Sequence, residues 1–159
     1  IFKGAMDIAP EDHIAMQAAV QKELAADGDY FMGGMGYSPA LAKEFMPEAV
    51  KIEKKYYTPR SNQAFDSDSI QEAVMLLVLA QAIEKAGAVD TEKVAAILRT
   101  ESFPSALSLS GSVKFNPDGQ NANALSVITQ IKNLDYNTVF PLKYKKADPV
   151  FPMTPWDKR

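Results

Sequence analysis

The run from Gly111 to Asn121, Gly-Ser-Val-Lys-Phe-Asn-Pro-Asp-Gly-Gln-Asn, forces the chain to turn back on itself. Proline at the second position of Asn116-Pro117-Asp118-Gly119 presets φ. Asp-Gly behind it tolerates the bridge and left-handed angles that a reversal needs. The residues before it, 112–115, read as a short strand, and two more β-rich runs follow at 125–131 and 138–141. A chain with this ending closes on paired strands, and the helical stretches ahead of it make the fold class α/β, expected as a mostly parallel sheet flanked by helices.

Two helices lead into that closing segment. Ser69-Ile-Gln-Glu72 has capping-box spacing, and the residues from Ala73 to Ala80 are apolar on every side, which predicts a buried helix. Ala86-Gly87 supplies a glycine stop. Asp90 then caps a second helix over 91–99, with Val94, Ile97 and Leu98 on its apolar face. Residues 102–110 read as a loop.

The front of the chain is less regular. A helix is expected over 11–26, with Glu11 and Asp12 at its positive end. Tyr30-Phe31-Met32, bounded by glycine, has the pattern of a buried parallel strand. Residues 33–39 read as a loop in which Ser38 is the N-cap and Pro39 the first helical residue. The helix continues over 40–45, and Pro47 opens a second segment toward Tyr57. Residues 58–63 read as a linker by composition. The expected organisation is therefore a βα segment over 1–66, followed by helices and a β-rich close over 67–159.

Composition narrows the function classes. With 159 residues, 47% hydrophobic and 23% charged, the chain can bury a real core. A net charge of −3 without a basic block argues against nucleic-acid binding. The absence of cysteine removes disulfides and cysteine zinc sites. No apolar run is long enough to span a membrane. The start at Ile1, without methionine or leader, is what a processed chain or a fragment would show.

Few residues carry a chemical signal. Gly33-Gly-Met-Gly36 lacks the lysine and serine or threonine of a phosphate loop. Its place after a strand makes Gly36, Tyr37 and Ser38 candidate ligand contacts, because ligands sit at carboxyl strand ends. The competing reading is that the glycines merely permit a turn and Tyr37 packs on a helix. Asp68 and Ser69, with Asp66, stand at the mouth of the apolar helix, where an aspartate can pair with an ammonium and free N–H groups can take a carboxylate. Capping alone also explains them. His13, the single histidine, has no partner for a triad or a metal site, so neither catalysis nor a cofactor is expected. Lysines and tyrosines over 51–60 read as a solvated helix, and Met16, Met32, Met46 and Met75 as core filler.

Several of these segments resemble type I periplasmic solute-binding proteins of ABC importers, in the branch for hydrophobic amino acids and amides. The similarity lies in Val113-Lys-Phe-Asn-Pro-Asp-Gly-Gln-Asn121, then Val127-Ile-Thr-Gln130 and Val139-Phe-Pro141, in that order. Glu72-Ala-Val-Met-Leu-Leu, Ala80-Gln-Ala-Ile-Glu-Lys-Ala-Gly87 and Asp90-Thr-Glu-Lys-Val-Ala-Ala-Ile-Leu98 add to it, as does the tail from Pro149 to Arg159. Members have two α/β lobes, and this chain resembles their C-terminal portion. The resemblance implies non-enzymatic capture of a hydrophobic amino acid, an amide or an aromatic or aliphatic carboxylate, without cofactor, in the periplasm or another extracytoplasmic space. The partners it implies are the solute and an importer permease, with a homodimer or a missing N-terminal half as further possibilities. The alternatives are a ligand-sensing or interaction module of the same fold, and a fragment with no binding activity of its own.

Overall fold

The computed structural model describes residues 29–133 and 135–152, together with 155 and 158. The helix expected over 11–26, with His13 and Met16, lies outside the described residues. The chain divides into two compact units: residues 34–128 form one, and residues 29–33 with 129–152 belong to the other. Residues 66 and 67, where the sequence suggests a boundary, lie together inside the first.

The larger unit begins with helix α1 (Pro39–Phe45). As expected, Ser38 caps it: the Leu41 N–H donates to Ser38 Oγ at 3.2 Å, and Pro39 occupies the start, where its missing N–H costs nothing. Helix α2 (Pro47–Ile52) follows at once and widens into a π-turn over Glu53–Tyr57. The expected linker after it is helical instead, α3 (Thr58–Ser61), because Pro59 falls in the first turn of that helix, where its ring is tolerated. Asn62, in the left-handed region at φ 56°, ends it.

Helix α4 (Ser67–Ala86) starts one turn earlier than its apparent capping box. Asp66 Oδ1 accepts from the N–H groups of Asp68 (3.1 Å) and Ser69 (2.7 Å), while the Asp66 N–H donates back to Ser69 Oγ at 3.0 Å. Ser69 is thus the third residue of the box and not its cap. Gly87, at φ 66°, closes the helix with its N–H on the Ile83 and Glu84 carbonyls. Helix α5 (Thr91–Thr100) is capped by Asp90, as expected, and buries Val94.

After α5 the expected loop opens instead with strand β2 (Ser102–Pro104), paired antiparallel to β3 (Ser112–Lys114). Phe103 lies opposite Val113, and both are buried on one face. With Val78 and Ala82 of α4 and Val94 of α5 they form one apolar cluster. A second cluster joins Tyr37, Ala42, Met46, Ala49, Phe65, Ile70 and Leu107. Only one side of α4 enters these clusters. Met75 is 63% and Leu76 69% exposed, so the helix is not buried all round and Met75 is no core filler.

In the smaller unit, a three-stranded sheet has the order β1 (Met32–Met35), β4 (Val127–Lys132), β5 (Asp135–Phe140), with the ends of β1 and β4 running into the larger unit. Hydrogen bonds link Asn133 to Asp29, Ile131 to Phe31 and Thr129 to Gly33, so one strand ascends as the other descends. A two-residue connection joins β4 to β5, which only an antiparallel pair permits. The pairings seen among the described residues are therefore antiparallel, where a mostly parallel sheet was expected.

The strand expected at 30–32 starts later, because Tyr30 has φ 75° and cannot lie in an extended run. Gly33 and Gly34 are strand residues, not loop. Phe31 and Met32 are exposed, and among the described residues β1 lies at the edge of the sheet. On the central strand Thr129 and Gln130, which point to opposite faces, are both buried. Gln130 ties the strand to the tail: its Oε1 accepts from the Val150 N–H at 2.8 Å, and its Nε2 donates to the Val150 carbonyl at 3.1 Å.

Candidate ligand-binding site

The sequence candidates fall in two stretches thirty residues apart, and the fold brings the stretches together. Ser67 Oγ, in the first turn of α4, donates to the Tyr37 carbonyl at 3.2 Å. Gly36, Tyr37 and Ser38 therefore lie beside the Asp66–Ser69 cap, all within the larger unit.

The side chains divide sharply between inside and outside. Tyr37 is 2% exposed, and its ring meets Phe65 edge-on at 6.3 Å, with Phe65 in turn stacked on Tyr57 at 4.5 Å. Its hydroxyl donates to Glu53 Oε2 at 2.7 Å. The same carboxylate oxygen accepts from the Phe65 N–H at 3.2 Å, so one buried acid holds both the loop before α1 and the approach to α4. Burial, first, and then the hydrogen bond and the charge of Glu53 push the Tyr37 phenol far above its ordinary range. The ring is thus a core member, the competing reading given by the sequence.

Ser38 is likewise buried and spends its hydroxyl on the α1 cap. Ser69 spends its own on Asp66. Asp68 differs. Its side chain is exposed and, among the described residues, makes no hydrogen bond or ion pair. Gly36 is half-buried with nothing within 4 Å of a Cβ built on it, so a side chain there would enter open space.

Glu53 is the residue that sequence reasoning missed. It stands among the lysines and tyrosines of 51–60, which read as a solvated helix, and its partners lie 16 and 12 residues away. In the fold it opens the π-turn, a widening that often marks a side chain with a special task. The basic residues nearby fit the solvated-helix reading: Lys51 pairs with Glu48 at 2.7 Å, and the Lys55 amine lies 4.9 Å over the exposed Tyr56 ring. Among the described residues no cluster of acids and histidines could hold a metal, and no helix is long and apolar enough to cross a membrane.

No family model matches the chain. Among solved structures, a leucine-binding protein, LivK, of Thermotoga maritima is similar, with a TM-score of 0.58 at 20% sequence identity. The match takes in 76% of this chain and 33% of that one. At that identity the likeness is one of fold. The chain therefore shares the arrangement of helices and strands found in part of that protein, and spans about a third of its length.

Proposed function

We propose that this chain contributes to the capture of a small solute, without chemical turnover, in the manner of a solute-binding protein. The observation that carries the reading is the shared fold with a leucine-binding protein. A hydrophobic amino acid, an amide or a small carboxylate is the solute class, and an ABC importer permease in an extracytoplasmic space is the recipient.

In this reading the solute meets the edge made by the Gly36 backbone and the first turn of α4. Asp68 is the group suited to an ammonium, being exposed and, among the described residues, without a hydrogen bond or ion pair. Ser69, Tyr37 and Ser38 set the geometry of that edge from within. Ser69 fixes the cap, Ser38 fixes the start of α1, and Tyr37 holds the loop through its carbonyl to Ser67 and its hydroxyl to Glu53.

A thermal-shift screen of the chain against leucine, other hydrophobic amino acids and their amides tests this. A ligand that binds only the folded state raises the melting temperature by about 6 °C at about a hundred times its Kd. The expected result is a shift with one of these classes that shrinks in Asp68→Asn. A cooperative melt that no solute moves would overturn binding by this chain on its own.

A further inference from the structure

The last turn of α5 and the turn after β3 flank an open groove of about 240 Å³ within the larger unit. Ala95, Leu98 and Arg99 stand at i, i+3 and i+4 and so line it from one face of the helix. Leu98 and Phe115 form its floor and rest against the apolar cluster around Val94. The opposite wall is a rigid turn: the Gly119 N–H donates to the Asn116 carbonyl at 2.9 Å, and the Asn116 N–H to the Gln120 carbonyl at 2.8 Å. Asp118 turns its carboxylate to the Gln120 N–H at 3.0 Å and does not line the groove.

Two polar groups stand at the rim. The Arg99 guanidinium and the Asn116 side-chain amide are exposed, and among the described residues neither side chain makes a hydrogen bond or ion pair. Among the described residues no acidic residue lines the groove. An apolar floor beside an exposed, fork-shaped cation is complementary to an anion with a hydrocarbon body. Carboxylate matches the guanidinium fork in a bidentate pair, and only an organic anion also covers Leu98 and Phe115.

We propose that this groove binds a small carboxylate whose apolar body is about the size of a phenyl ring. The site shares no residue with the Gly36 and α4 edge and does not rest on the solute-capture reading.

The test is an amide NMR titration of the full chain with benzoate, benzamide and inorganic phosphate. The expected result is a saturable benzoate response at Leu98, Arg99, Phe115 and Gly119 with a Kd of about 1 mM. Benzamide, and benzoate against Arg99→Gln, should each bind about fivefold more weakly. Ala95→Leu, which fills the groove, should abolish the response. Equal binding of benzamide, phosphate as tight as benzoate, an unaffected Arg99→Gln, or no saturable response at these amides would each overturn the site.

Discussion

Around Phe65 the larger unit closes over a carboxylate, whereas around Phe103 it closes over hydrocarbon. In the first region Glu53 is buried with two donors aimed at one oxygen, and the aromatic rings of Tyr37, Phe65 and Tyr57 surround them. In the second, Phe103, Val113, Val78, Ala82 and Val94 interlock, and the Lys85 amine lies 5.4 Å over the Phe103 ring, paired with Glu101. Apolar packing is forgiving of direction but sensitive to volume. A buried acid is the reverse, because each donor must reach it at the right angle. The polar region is the one that holds the loop bearing Gly36 beside α4, where positional accuracy matters for a ligand edge.

The largest expected effect is on the hydrocarbon side. Phe103 is fully buried, so Phe103→Ala should cost about 4 kcal/mol through lost burial and the cavity left behind. Urea unfolding of the variant checks it. A cost below about 1 kcal/mol would mean that the two-stranded sheet is not packed on α4 as described.

Glu53→Ala should come next, at about 3 kcal/mol, since it strands two buried donors, the Tyr37 hydroxyl and the Phe65 N–H. The same change should loosen the neighbourhood of Gly36 and Ser67, which amide exchange would report. Destabilisation without faster exchange there would confine Glu53 to stability and remove its positioning role.

Tyr37→Phe sharpens the comparison with a smaller change, about 1.5 kcal/mol, because Glu53 keeps the Phe65 N–H as a partner. It also has a pH signature. Below the ordinary tyrosine value of 10.0 both folded and unfolded chains hold the phenol proton. Above it the unfolded chain releases that proton while the folded chain keeps it, so the folded state binds more protons and stability falls as pH rises. The urea midpoint measured from about pH 8 to 11 should therefore decline less steeply in Tyr37→Phe than in the parent chain. Identical slopes would show that Tyr37 is not the group responsible. Tyr136, raised by burial in the other unit, supplies a share that the substitution leaves in place.

What the sequence made legible was local chemistry. Ser38 with Pro39, Asp90, Gly87 and the Asn116–Gly119 turn each act within four residues of themselves, so their identity is enough to place them. The capping box at α4 was seen but misplaced by one turn, because Asp66 and Ser69 both look like caps and only the geometry ranks them. Glu53 was illegible for the opposite reason, its partners being set by how α1, the π-turn and the approach to α4 come together. Of the candidate site, the sequence picked out both stretches, but burial alone separates Asp68, which faces outward, from Tyr37, which does not. β1 failed for want of context, since an apolar run beside glycine suits a central strand or an edge equally well.

Helix α4 carries both kinds of surface at once, and it supplies the smallest effect. An apolar run on all sides predicts full burial, yet Val78 is 4% exposed while Leu76, two residues earlier, is 69% exposed. Val78→Ala should cost about 1.5 kcal/mol, and Leu76→Gln should change stability by no more than about 0.5 kcal/mol, since glutamine is also a good helix former. Parallel urea titrations at low protein concentration decide the matter. Equal costs would mean that the Leu76 face is packed against something in the folded chain. A near-zero cost for Leu76→Gln would show that helix stability here depends on one side only, the side shared with Phe103 and Val94.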